Sequence, residues 1–140
     1  MPISQTISTR QTKYCAAIEA ALAQLGHATN QELLRELHRS YPAFSATTVH
    51  RATLRLASRG KVAVAPSAIS GSIRYDANLT PHDHFQCAHC GKLADVDVKD
   101  QVVPLLKAAI KGCELSGRLT INGICKNCTL KEERYEDKRL

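Results

Sequence analysis

Through the first sixty residues the apolar positions recur three and four apart, the spacing of amphipathic helices. Over residues 9–25, Tyr14, Ala17, Ile18, Ala21, Leu22 and Leu25 share one helical face, and Gly26 supplies a stop. The next segment predicts a second helix of about ten residues. Thr29 or Asn30 can be its N-cap, Leu33, Leu34 and Leu37 form its apolar stripe, and Pro42 lies just past its end. Ser45 can cap a third helix in which Val49, Ala52, Thr53 and Leu56 face inward, while Thr47, Thr48, His50, Arg51 and Arg55 face elsewhere; Gly60 ends it. The period then changes, and KVAVAPSAISGSIRYD reads as strand, Ser/Gly loop, strand. Helix, turn, basic helix and hairpin is the order of a winged helix-turn-helix, whose second motif helix enters the major groove. The same pattern also describes three helices and a hairpin that only pack together.

Beyond Asp76 the pattern is less regular. Phe85 and the run Lys92 to Val98 predict two strands around the turn AHCGK, and residues 101–112 predict a helix through Val102, Leu105, Leu106 and Ala109. Pro104 is tolerable there only in the first turn. Alternation of Leu115, Leu119 and Ile121 predicts two more strands, and the charged last residues predict a frayed helix or tail.

Composition narrows the function. The chain has 140 residues, 44% apolar, with no Trp and only 4% aromatic residues, so a core of Leu, Ile, Val and Ala would gain from a cross-link. No apolar run nears the roughly 18 residues that cross a bilayer, and the N-terminus lacks a signal-peptide core. A cytoplasmic protein with no membrane partner is expected. The net charge is +6, concentrated in residues 1–78, where nine Lys/Arg face four Asp/Glu. That half is the expected polyanion partner.

Six Cys without a signal peptide point to metal or redox work more than to structural disulfides. Cys87-x2-Cys90 and Cys125-x2-Cys128 can present four thiolates to one tetrahedral Zn2+, leaving no open position, so the site would be structural. The competing reading, a thiol redox pair, lacks the strand-to-helix setting of a thioredoxin-like motif. Cys15 and Cys113 are expected to be buried small hydrophobes. His82 and His84, at i and i+2, point to one side of an extended strand, and Asp76 and Asp95 lie at strand ends that a hairpin could bring near. Such a mixed N/O set suits Fe2+, Mn2+ or Zn2+.

With SATTVHRATLRLASRGKV, RYD, HDHFQCAHCGKLADVD and INGICKNC in view, the chain resembles the ferric uptake regulator family of bacterial metal-responsive repressors, from about Ser8 to Cys128. The resemblance implies an α/β fold of the α+β kind. A winged helix-turn-helix would occupy residues 1–77, followed by a small α/β dimerisation and metal-binding domain over 78–140. It also implies a homodimer on a double-stranded operator and a structural zinc on the four Cys. A regulatory ion at the domain hinge would be held by His27, Asp76, His82, His84 and Asp95. Thr47, Thr48 and His50 become candidates for base edges, and Arg51, Arg55, Arg59 and Lys61 for groove or phosphate contacts.

Iron sensors that resemble this pattern tend to carry Glu where Asp76 and Asp95 stand, peroxide sensors tend to carry Asp at both, and zinc sensors use a Cys near Asp76. The resemblance therefore favours a peroxide-sensing repressor using Fe2+ or Mn2+, ahead of an iron or manganese uptake regulator and of a zinc or nickel one. Several residues depart from the family pattern. His50 stands where Tyr is usual, Ala52 to Leu54 differ from the usual order, and Ser116 and Gly117 replace histidines that would build a further metal site. A helix preceding the helix-turn-helix is expected to be abbreviated. A small metal-dependent enzyme working through His82, His84 and Asp95 is the rival reading, for which no general base or pocket is evident.

Overall fold

The computed structural model describes residues 2–137, with side chains described for residues 13–134. It comprises two compact units, Met1–Leu79 and Thr80–Leu140; the sequence-based boundary lies between residues 77 and 78.

The first unit contains α1 (Pro2–Leu25), β1 (His27–Thr29), α2 (Asn30–Leu37), α3 (Ala46–Ser58), β2 (Ala63–Ala65) and β3 (Arg74–Asp76). Helix α1 begins at Pro2, well before the predicted start at residue 9. Of its predicted face, Ile18, Ala21 and Leu22 are buried, whereas Tyr14 and Leu25 are exposed. Tyr14 instead meets the ring of Phe44 edge-on at 5.1 Å. Gly26 ends the helix at φ 80°, where a side chain would be strained, and its N–H donates back to the Leu22 carbonyl at 2.7 Å.

Thr29 is the N-cap of α2, in a full capping box with Glu32. Ser45 caps α3 by accepting from the Thr48 N–H at 3.1 Å. The four residues expected to face inward from α3, Val49, Ala52, Thr53 and Leu56, are the buried ones. Val49, Ala52 and Leu56 join Ile18, Leu22, Leu33, Leu37 and Tyr75 in one core.

Strand β1 escaped prediction, because three residues carry no periodic signal. It forms because β3 offers edges on both sides: the sheet order is β1-β3-β2, antiparallel throughout, with His27 and Ala63 both opposite Asp76. Three helices with this small sheet make the winged helix-turn-helix.

The second unit contains β4 (Asp83–Cys87), β5 (Leu93–Val96), α4 (Lys99–Ala109), β6 (Thr120–Gly123) and α5 (Lys126–Asp137). Two expectations are corrected here. Helix α4 begins at Lys99, so Pro104 is its sixth residue and not in the first turn; the helix forgoes the bond that an N–H there would have made to the Asp100 carbonyl. Residues 113–125 supply one strand, not two, because only β6 finds a partner: it runs parallel to β4, while β5 pairs antiparallel on the other side. The charged C-terminal run is helical as far as Asp137; residues 138–140 of the expected tail lie outside the described residues. Gly123 fits because an added Cβ would stand 3.0 Å from the Phe85 ring.

Little apolar surface is buried in this unit. Among the described residues its buried side chains are Cys87, Asp83 and His84. Asp83, fully buried, gathers the unit's loops. Its Oδ1 accepts from the Leu119 N–H at 3.0 Å, and its Oδ2 from the N–H groups of Val98 and Lys99 at 3.0 and 2.8 Å. Arg118 Nε lies 3.1 Å from Oδ1. The carboxylate thereby serves as a cap for α4, whose N-cap Val98 has none of its own.

These donors, the Leu119 N–H first, hold the Asp83 carboxyl at about 2, against an ordinary value of 3.8. A depressed carboxyl stabilises the fold above its unfolded value, and that contribution disappears as pH falls through the folded one. Asp83→Asn is therefore expected to unfold at lower denaturant than the parent chain near neutral pH, with the difference closing between 3.8 and about 2. Chemical denaturation across this range measures it; a difference that widens on acidification would contradict the assignment.

Candidate metal centres and nucleic-acid interface

The four cysteines come from two places that β-sheet pairing unites. Cys87 ends β4, Cys90 follows in the turn before β5, and Cys125 and Cys128 flank the start of α5 beyond β6. Parallel pairing of β4 with β6 sets Cys87 opposite Gly123 and so brings the second pair beside the first. All four sulfurs lie within 4.8 Å of one another, with Cys87 and Cys128 Sγ 3.9 Å apart and Cys90 and Cys125 Sγ 3.8 Å apart.

A tetrahedral ion with metal–sulfur bonds of roughly 2.3 Å requires sulfurs about 3.8 Å apart, whereas a disulfide requires roughly 2.05 Å. The donor set fits a closed thiolate metal site. Backbone donors prepare it: the N–H groups of Cys125 and Cys90 point at Cys87 Sγ at 3.3 and 3.5 Å. They draw the Cys87 thiol down to about 6, while Cys128, donating to the sulfur of Cys125, is pushed up to about 12. Four sulfurs so close cannot all ionise without a cation among them.

Histidine and carboxylate ligands are grouped within each unit. In the first, register places His27 opposite Asp76, with His27 Nε2 3.4 Å from Asp76 Oδ2. In the second, His84 lies opposite Asp95, and Asp95 Oδ1 is 3.1 Å from His82 Nε2 and 3.5 Å from His84 Nε2. The two rings are 4.4 Å apart. His82 Nδ1 sits 2.6 Å from the Thr80 carbonyl, an atom that can only accept, so Nδ1 carries the proton. In the neutral ring Nε2 then directs a lone pair at a carboxylate oxygen, an arrangement that a cation between them satisfies.

The outward side of α3 exposes Thr47, His50 and Arg51, and Arg59 and Lys61 are exposed just beyond it; Thr48 and Arg55 are half-buried. The Thr48 hydroxyl is 2.9 Å from that of the capping Ser45, which ties it to the helix start. Sequence reasoning missed three contributors to these sites. Asp83 and Arg118 gave no signal, because the groups they meet lie far along the chain: backbone N–H groups for Asp83, and the Asp83 carboxylate for Arg118. Asn30 was read only as a possible cap, yet its side chain reaches His50 and Thr53 on α3. The unpaired cysteines differ from each other: Cys15 packs against the first unit's core, whereas Cys113 is exposed, correcting the expectation that it would be buried. It falls at the end of the turn after α4, where its N–H donates to the Ile110 carbonyl at 3.3 Å.

Comparison with known proteins decides the family. The sequence model of the ferric uptake regulator family matches residues 6–115. The chain belongs to the ferric uptake regulator family. It is 29% identical over 119 residues to the peroxide operon regulator of Bacillus subtilis, covering 84% of this chain and 81% of that one. It is likewise 29% identical over 135 residues to the ferric uptake regulation protein of Campylobacter jejuni, covering 89% and 84%. The solved structure of the Campylobacter jejuni peroxide stress regulator is similar in fold, with a TM-score of 0.69 at 22% identity over 91% of this chain and 97% of that one.

Membership makes the chain a metal-responsive transcriptional regulator and not an enzyme, which removes the open-metal enzyme reading. Among the described residues no helix is long and apolar enough to cross a membrane.

Because the second unit buries so little else, its fold is expected to depend on an ion among the four sulfurs. Apparent binding energies at structural zinc sites reach about 10–16 kcal/mol, well above the roughly 3–5 kcal/mol that a core this small supplies. Cys125→Ser should lose the ion in elemental analysis and the dispersed amide signals of residues 83–128 in NMR spectra. Retention of both would contradict this role.

Proposed function

We propose that the protein is a homodimeric, cytoplasmic, peroxide-sensing repressor. Its regulatory Fe2+ or Mn2+ would be held jointly by His27, Asp76, His82, His84 and Asp95, and Zn2+ by Cys87, Cys90, Cys125 and Cys128. The observation that carries the reading is the pair of aspartates, each within 3.1–3.5 Å of imidazole Nε2 atoms. Three imidazoles and two short carboxylates form a mixed N/O set suited to Fe2+ or Mn2+, chemically apart from the all-sulfur cluster.

His27 and Asp76 belong to the unit that carries α3, and His82, His84 and Asp95 to the unit that carries the cluster. An ion shared by all five would couple metal occupancy to the presentation of α3. In a dimer, two such helices would read half-sites one helical turn apart, roughly 34–36 Å. Arg51, Arg55, Arg59 and Lys61 would hold phosphates or groove edges, and Thr47, Thr48 and His50 would face bases. The second unit supports a partner copy: α4 has no buried residue, Leu105 is 73% exposed, and Ile121, Ile124 and Leu130 are exposed as well. When bound, Fe2+ would activate peroxide so that one oxygen atom passes to the imidazole of His27 or His82, the residues the family resemblance indicates, and the other leaves as water. Loss of either ligand would loosen the joint site and end DNA binding.

The test starts by selecting duplexes from a randomised library with Mn2+-loaded protein. The selected duplex should bind with Mn2+ or Fe2+, release on chelation, and weaken steeply with salt. A peroxide pulse should abolish binding of the iron form and add the mass of one oxygen atom to a peptide holding His27 or His82, leaving the manganese form unchanged. An iron form inert to peroxide but still metal-dependent would make this an iron or manganese regulator. Metal-independent binding would overturn the regulatory site itself.

A further inference from the structure

We propose that Asn30 is a positioning residue for DNA reading: it fixes the His50 imidazole so that Nε2–H, a hydrogen-bond donor, faces outward toward an acceptor on a base edge. This rests on the reading of α3 as the DNA-contacting helix. Asn30 is the first residue of α2, directly after the strand that carries His27, and is half-buried. Its side chain crosses to α3. There the Thr53 hydroxyl, buried at 1% exposure, donates to Asn30 Oδ1 at 2.9 Å, and Asn30 Nδ2 lies 3.3 Å from His50 Nδ1.

A carboxamide has one accepting atom and one donating group. With Oδ1 engaged by Thr53, the NH2 group faces the imidazole, and Nδ1 must accept from it. The neutral ring then carries its proton on Nε2. Thr53 Oγ1 has a second acceptor within reach, the His50 carbonyl at 3.1 Å, but the contact to Asn30 is the shorter. Thr29, Asn30, Gln31, Ser72 and Ile73 line a recess together with His50.

A lone histidine on an exposed helix face is an ambiguous reader, since either nitrogen can be donor or acceptor. Held by Asn30 it is a donor, and in the major groove its partners are purine N7, guanine O6 and thymine O4. Cytosine, which offers N4–H there, is disfavoured.

Two measurements on the full zinc-loaded chain test this. Long-range 1H–15N spectra of histidine-labelled protein should show His50 protonated on Nε2 and bare on Nδ1, with a mixture in Asn30→Ala. Thr53→Val, which leaves Asn30 in place but frees its amide to turn over, should give the same mixture. Duplex selection with His50→Ala should then lose one base preference per half-site. Asn30→Ala should weaken preference at that same position roughly threefold to tenfold, the worth of one hydrogen bond, and leave the other positions unchanged. His50 protonated on Nδ1 in the parent chain, or a His50→Ala selection identical to the parent's, would overturn the proposal. Failure to select any duplex would instead sink the DNA-binding reading, and the spectra are unaffected by that failure.

Discussion

The second unit is held by charge and sulfur more than by a hydrophobic core. Four thiols within 4.8 Å of one another and one buried carboxylate do the work that apolar packing does in the first unit. The two devices act at opposite ends of β4. At its start Asp83 fastens the loop before α4 and the approach to β6, and at its end Cys87 fastens the turn before β5 and the start of α5. His84 lies on the strand between them, opposite Asp95, and His82 directly precedes it. The two candidate histidine ligands of this unit thus lie beside or between these structural features.

The first unit obeys different physics. Its core joins three helices to a three-stranded sheet, and β3 is buried along its whole length. Because β1 and β2 both pair with that strand, His27 is brought against Asp76 by backbone register. From β1 the chain passes directly through the Thr29 cap into α2, and Asn30 at that junction touches α3. A candidate metal ligand is therefore three residues from the side chain that contacts the candidate base reader His50.

Much of this was legible in the sequence where physics is local. Helical periodicity and Ser45 located α3 and its inward face, and the CxxC spacing located the thiol cluster, because two ligands at that separation already imply a turn around an ion. What was hidden depends on distant partners. Strand β1 exists only because β3 lies beside it, and β6 alone forms after Gly112 because only it finds β4. Asp83 reads as a polar residue between two histidines, and its burial follows from backbone donors at Val98, Lys99 and Leu119 that no pattern announces. Pro104 misled for the opposite reason: a local rule placed it in the first turn, and the Asp83 cap on the preceding residues lets α4 start earlier.

The central claim is that one ion is shared by both units, and His27 is the residue on which it turns. Titration calorimetry of Mn2+ into the zinc-filled chain and into His27→Ala measures this directly. The account predicts an affinity weakened at least roughly tenfold in the variant, as expected for loss of a metal ligand, with the zinc content unchanged. Equal affinity in the two proteins would mean that the ion is held by the second unit alone, and the proposed link between metal and DNA would fall with it.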